Sequence, residues 1–380
     1  MRPLIYLDNA ATTFPKPDAV MWAVTECMRE YGGNPGRSSH RLSLRAAEKI
    51  YECREALAAF FDAEAPESVV FTYNTTYALN MAIKSNLPAG SHVLISDMEH
   101  NSVLRPIHEA ALRGLCTYSI FETKGTKEDV ISSIQRWIRP NTRMLVCNHA
   151  SNVGGRVLPL KEIGAFCEAR GIFFIVDGAQ SAGTIPISVR EMKIRALCVP
   201  GHKGLYGPQG VGVMIIGGEN IGKTFVEGGN GIRSLEREMP VFLPERYEAG
   251  TLCTPGIAGL CAGLSWLREH GIQRIAEEEQ RLSRIAQRWL SEIPGTVLYP
   301  MGDTVTGTFC FNLRGIPSQS LAQRLDERGI CVRAGLHCSP LAHEILRTGE
   351  EGAVRVSIGA FNTLADIDSL CEAVDECARK

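Results

Sequence analysis

From about residue 16 to residue 250, apolar runs of strand length alternate with longer stretches of helical period, and this alternation constrains the fold most. SVVF, HVLIS, CTYSI, RMLVCN and IFFIVD are separated by segments of roughly 10 to 20 residues. Strands that are apolar throughout are buried on both faces. The pattern therefore predicts an α/β fold whose mostly parallel sheet is flanked by helices.

Beyond Thr251 the texture changes. PGIAGLCAGLSWLREHGI and IQRIAEEEQRLSRIAQRWLSEI read as two long helices, followed by short strands near TFCFNL and VRVSI. The expected organisation is a large domain over 16–250 and a smaller α+β domain over 251–380 that also takes in the segment 1–15. At 380 residues the chain exceeds the size at which one core usually stops growing, which suits two domains. In the last helix Leu364, Ile367, Cys371 and Val374 recur at spacings of three and four, with Thr363 and Asp366 placed as a capping-box variant.

Charge and cysteine usage narrow the function. Lys and Arg total 40 against 42 Asp and Glu, a net charge of −2, so no positive field attracts nucleic acid or an anionic membrane. In MRPLIYLDNAATT a short apolar stretch runs into Asp8, which fits neither a signal peptide nor a membrane span, and a cytoplasmic protein is expected. Thirteen cysteines are scattered without a CxxC pair, against both a zinc ribbon and a disulfide framework, and nothing suggests a metal. Cys147, Cys198 and Cys310 sit in apolar runs and read as small buried hydrophobes. Cys338, in CVRAGLHCSPLAH, has small and polar neighbours instead.

Two residues carry the first chemical signal. Asp177 ends the buried run IFFIVD, at the carboxyl edge of a parallel sheet where ligands bind. Taken alone, it could equally cap the next helix. Lys203 follows 26 residues later between His202 and a glycine-rich turn. Most lysines are solvated, but Gly201 and Gly204 imply a tight backbone around this amine. The pair suits a pyridoxal phosphate site, where a lysine forms the Schiff base and an acid keeps the pyridine nitrogen protonated.

The ordered set YLDNAATT, EHNS, HASNVGG, VDGAQSAG, GHKGLYGP, EAGT and RAGLHC, spanning Tyr6 to Arg355, resembles the cysteine desulfurase and selenocysteine lyase family. These are fold-type I, class V aminotransferase-like enzymes. The resemblance implies that Lys203 holds pyridoxal 5′-phosphate and moves the substrate proton, that Asp177 pairs with the pyridinium nitrogen, and that Gln180 donates to the ring's phenolic oxygen. It makes His100 the histidine stacked on the cofactor, able to exchange protons with substrate. Thr75, Thr76, His202 and Thr251 become phosphate contacts, Thr251 typically reaching across from the second subunit of a homodimer. Arg355 becomes the fork for the substrate α-carboxylate, with Asn152 near both that carboxylate and the cofactor oxygen.

Cys338 decides the reaction class, because sulfur transfer needs a nucleophile on a loop and an aminotransferase does not. Arg333 and His337 are expected to favour its thiolate. Metal binding by His337, Cys338 and His343 matches no recognised ligand spacing. Two departures stand out: Pro200 replaces a serine common in the family and offers neither hydroxyl nor amide hydrogen, and Leu336 stands where many members carry histidine. Arg37 in GGNPGRSSH faces the site or merely leads into a helix. The implied activity converts L-cysteine to L-alanine with a persulfide on Cys338 that passes to an acceptor, such as a sulfur-carrier protein. The nearest alternative is a selenocysteine lyase. Other class V activities, or a non-catalytic scaffold, are less favoured, the last because the lysine, aspartate and arginine are all intact.

Overall fold

The computed structural model describes residues 4–36, 38–218, 222–302 and 305–379. The chain opens with β1 (Ile5–Tyr6), α1 (Asp18–Glu30) and α2 (Arg41–Phe60). Alternation then takes over, with β2 (Val69–Thr72), α3 (Thr75–Asn86), β3 (Ser91–Ser96), α4 (Asn101–Leu112), β4 (Cys116–Phe121), α5 (Lys127–Trp137), β5 (Thr142–Asn148), α6 (Leu160–Glu168) and β6 (Phe173–Asp177). Two further strands, β7 (Ala196–Pro200) and β8 (Gly212–Ile216), complete a seven-stranded sheet in the order β2-β8-β7-β6-β5-β3-β4.

Every pairing from β7 to β4 is parallel, whereas β8 runs antiparallel to both β7 and β2. The cause lies in the connection. Residues 201–211 are too few to cross a face of the sheet, so β8 must return beside β7 in the opposite sense. Both faces are covered, as the apolar strands predict. Along β5, Met144 and Val146 join one core with residues of α3 and α4, while Leu145 and Cys147 join the other with residues of α2, α5 and α6.

The later part comprises α7 (Thr254–His270), α8 (Ile272–Glu292), β9 (Thr296–Leu298), β10 (Thr308–Leu313), α9 (Ser318–Asp326), β11 (Ile330–Cys331), β12 (Arg333–Gly335), α10 (Pro340–Leu346), β13 (Ala353–Ser357) and α11 (Leu364–Ala378). A four-stranded antiparallel sheet, β12-β13-β10-β9, packs with α8, α9 and α11 around a core of its own. β1 pairs in parallel with β11, which brings Leu7 into that core. Helix α7 behaves differently: Ile257, Leu260, Leu264 and Leu267 are buried in the core of the large sheet.

The apolar stripe of α11 differs in one position from the sequence expectation. Ile367, Leu370, Cys371 and Val374 are buried, but Leu364 stands 43% exposed at the first helical position, ahead of the docked face. Asp366 accepts the backbone amide of Thr363 at 2.9 Å, as a capping box requires. None of the cysteines described is disulfide-bonded; most are buried, and Cys253 joins Cys338 among the exposed ones. No helix among the described residues is long and apolar enough to cross a membrane.

Candidate active site

In the parallel part of the sheet, β4 lies on one side of β3 and β5 on the other, so the strand order reverses there and leaves a crevice beyond the carboxyl ends. The segments leaving β3, β5, β6 and β7 carry His100, Asn152, Asp177 with Gln180, and His202 with Lys203. Those residues, together with Thr75 and Thr76 from the start of α3, line a single cavity. Of the eleven residues singled out from the sequence, Thr251, Arg355 and Cys338 are not in its wall.

Lys203 sits in the tight turn its glycines implied. A Cβ on Gly204 would come within 2.3 Å of the Ala182 carbonyl oxygen, and one on Gly183, at φ +85°, within 2.0 Å of the Gly204 oxygen. The two segments thus pass backbone against backbone and fix where the amine emerges. Burial brings the Lys203 ammonium down to about 8, opposed by the negative field of Asp177. Asp177, also buried, is pushed above the ordinary carboxylate range despite accepting the Ala179 amide at 2.9 Å. It forms no salt bridge among the described residues.

At α3 the cap is Asn74, whose side chain accepts the Tyr77 amide at 2.9 Å, so neither threonine is needed there. Thr75 occupies the first turn with its Oγ1 buried and unpartnered. Thr76 Oγ1 meets Ser102 Oγ at 2.8 Å, and Ser102 Oγ also lies 2.8 Å from His100 Nδ1. The Ser102 amide donates to the same Nδ1 at 3.1 Å, which leaves the ring proton on Nε2. Burial first, then nearby Lys203, lowers His100 to about 4 and keeps it neutral. His202 likewise falls to about 4, chiefly through burial, with Nδ1 3.0 Å from Thr12 Oγ1. The Gln180 amide donates to the Ala10 carbonyl at 3.0 Å, using one of its two hydrogens.

Arg355 rises from β13, only 1% exposed, which excludes a solvated strand arginine. One arm donates to the Asn152 carbonyl at 3.1 Å and the other to Asp8 at 2.6 Å, while Nε is buried without a partner. The Cys338 loop is tied down beside the cavity: Asn152 Nδ2 donates to the His337 carbonyl at 2.8 Å, Ser339 Oγ to Asn152 Oδ1 at 2.7 Å, and the Asn101 amide to the Cys338 carbonyl at 2.7 Å. Cys338 stays exposed, with an Arg333 guanidinium nitrogen 3.8 Å from Sγ. His337 does not play the part expected of it. Its ring turns inward onto His343, and burial followed by Arg355 holds it down at about 2, so it brings no positive charge to the sulfur.

Thr251 lines a neighbouring pocket with Tyr73 and Tyr77 rather than the Lys203 cavity. Arg37 lies outside the described residues. Sequence reading missed Asp8, Ser102 and Ser339. Ser102 could have been found from its place two residues after His100, and Ser339 from its place beside Cys338. Asp8 gives no local sign of its partner 347 residues away.

Residues 5–370 match the model of the class-V aminotransferases. The chain belongs to that family. It is 34% identical to a probable cysteine desulfurase of Methanothermobacter thermautotrophicus, over 100% of this chain and 96% of that one. A cysteine desulfurase of Klebsiella pneumoniae subsp. pneumoniae is 33% identical, over 97% and 92%. The apo structure of a cysteine desulfurase from Thermococcus onnurineus NA1 superposes with a TM-score of 0.90 at 29% identity, covering 99% of this chain and 95% of that chain.

Membership of this class-V family implies pyridoxal phosphate, and the residues present fit that group. The unpartnered Thr75 hydroxyl at a helix N-terminus suits a phosphate. The buried Asp177 carboxylate, without a cation of its own, suits a pyridinium.

Proposed function

We propose that the protein is a pyridoxal phosphate-dependent cysteine desulfurase, forming L-alanine from L-cysteine and a persulfide on Cys338. The observation that carries this reading is the exposed Cys338 thiol on a loop pinned to Asn152 and Asn101, residues flanking the cavity that holds Lys203.

The cofactor, when bound, supplies an electron sink for the charge left at the substrate Cα. Lys203 Nζ removes the Cα proton; with its ammonium brought down to about 8, a useful fraction of the amine is free base near neutral pH. Asp177 holds the proton on the ring nitrogen, and Thr75, Thr76 and His202 hold the phosphate. Gln180 keeps one amide hydrogen for the phenolic oxygen. Arg355 orients the substrate carboxylate. The neutral His100 offers Nε2–H to the substrate side of the cavity. The Cys338 thiolate then bonds to the substrate sulfur while the Cβ–S bond breaks, its electron pair going to carbon, which takes up a proton. Alanine leaves, and the persulfide on the exposed loop is open to an acceptor thiol. We further place Thr251 at the phosphate of a second copy in a homodimer, since within one chain it lines a different pocket.

The Cys338→Ser protein tests the reading. It is expected to keep its visible cofactor band while producing neither alanine nor sulfide from L-cysteine. Alanine formation at the wild-type rate would remove Cys338 from the chemistry. L-Selenocysteine, assayed beside L-cysteine at equal concentration, separates the desulfurase from a lyase that discriminates against sulfur.

A further inference from the structure

Two histidines outside the cavity form a continuous chain of contacts at the base of the Cys338 loop. His337 Nε2 lies 3.2 Å from the Arg333 carbonyl, His337 Nδ1 lies 3.0 Å from His343 Nε2, and His343 Nδ1 lies 2.8 Å from Thr348 Oγ1. The ring planes are within 21° of parallel. Both rings are buried, at 2% and 3% exposure.

One acceptor fixes every proton in the chain. A carbonyl can only accept, so His337 Nε2 carries hydrogen, and the neutral ring leaves Nδ1 as an acceptor. His343 Nε2 must then donate to it, His343 Nδ1 must accept, and Thr348 must donate. Protonating His337 would set its Nδ1–H against the Nε2–H of His343, whereas a proton on His343 Nδ1 would only require Thr348 to accept and turn its own hydrogen toward the Gly349 carbonyl, 3.5 Å away. The charged groups acting on the pair are Arg355, for both rings, and Arg333, for His337; they add to burial in keeping both imidazoles neutral.

The chain closes a short loop with the sulfur at its tip. Arg333 ends the strand side, His343 belongs to α10 on the other, and residues 336–339 run between them. Within that loop His337 and Cys338 both adopt left-handed backbone, φ +50° and +57°, which non-glycine residues hold only where surroundings enforce it. The Arg333 carbonyl takes the histidine chain while its guanidinium faces Cys338 Sγ.

We propose that the His337–His343 pair is a positioning device for Cys338, holding the loop in its strained conformation so that the sulfur stays beside Arg333 at the cavity mouth. Neither imidazole touches substrate in this role. The proposal rests on the desulfurase reading for its catalytic consequence, but not for its structural one.

The test compares His343→Phe, which keeps a flat buried ring and loses both hydrogen bonds, with His343→Gln, which keeps a side-chain donor. Full-length protein loaded with pyridoxal phosphate is used throughout. His343→Phe is expected to retain the cofactor band and a KM for L-cysteine within about threefold, while kcat falls about tenfold or more, as small misplacements of a reacting group allow. Iodoacetamide labelling of Cys338, followed by mass spectrometry, is expected to change in rate several-fold, and His343→Gln to recover part of both effects. Labelling and kcat within twofold of wild type for His343→Phe would overturn the proposal. If His343→Phe fails to fold, His343→Gln and Thr348→Val carry the same two readouts, and wild-type values in both overturn it. A wild-type protein that makes no alanine from L-cysteine would sink the desulfurase reading alone, because the labelling rate reports the loop without any turnover.

Discussion

Arg355 is a guanidinium almost wholly removed from water, paired with Asp8 yet keeping one buried nitrogen unpartnered. A lysine could match one point of charge there but not the fork. Arg355→Lys is therefore expected to raise the KM for L-cysteine by about tenfold or more, with the cofactor band retained, as steady-state kinetics would show. Glu279 gives a pH prediction. Burial lifts its carboxyl from 4.5 to about 8, so the folded chain holds a proton that the unfolded chain releases between those values. Its contribution is fully present below about pH 4.5 and is lost as pH rises through about 8. Relative to the parent, Glu279→Gln should unfold at the same urea concentration near pH 4.5 and at a higher one by pH 8. At this scale Lys203, Asp177 and Cys338 were legible because their immediate neighbours depart from the usual surroundings of their types. The partner of Asp8 and the inward turn of His337 were not, since both depend on contacts made only after the sheet and the α10 loop have formed.

Among the elements, those read correctly from the sequence announce themselves by length and period: β2 to β6, and the long helices α7 and α8. What escaped depends on connection length or on packing. The reversed direction of β8 follows from the short span 201–211, and the attachment of α7 to the large sheet follows from small residues that let it approach. A Cβ on Gly263 of α7 would sit 2.4 Å from the Leu205 carbonyl oxygen. The same closeness at Gly204 makes Gly204→Ala a severe change: backbone would have to move beside Lys203, and loss of soluble protein or of the cofactor band is expected on purification. The α11 cap is a milder case. Asp366→Ala should lower the unfolding free energy by about 1 kcal/mol in urea titration, while the buried face of Ile367, Leu370 and Val374 keeps the helix docked.

For the whole molecule, the second copy is the main expectation. Met21, Trp22 and Met28 of α1 stand 60%, 72% and 68% exposed, an apolar surface consistent with a partner. If Thr251 serves the other chain's phosphate, damage can be complemented between chains. Lys203→Ala and Thr251→Ala proteins, mixed, unfolded and refolded together with cofactor, should regain more activity than either refolded alone. No gain over the two separate samples would place Thr251 outside the site. The sequence motifs implied this sharing, and a single chain agrees only in keeping Thr251 apart from the Lys203 cavity.

The ion pair between Asp8 and Arg355 joins the first of the seven motifs to the last strand of the small sheet, across 347 residues, and β1 lies against β11 in the same neighbourhood. During synthesis on the ribosome, the beginning of the chain must wait for almost the whole polypeptide to emerge before its carboxylate meets its cation. On the proposed reading the substrate fork is therefore assembled at the end of biosynthesis, and a prematurely terminated product lacking β13 carries Lys203 without the arginine proposed to orient an amino acid beside it.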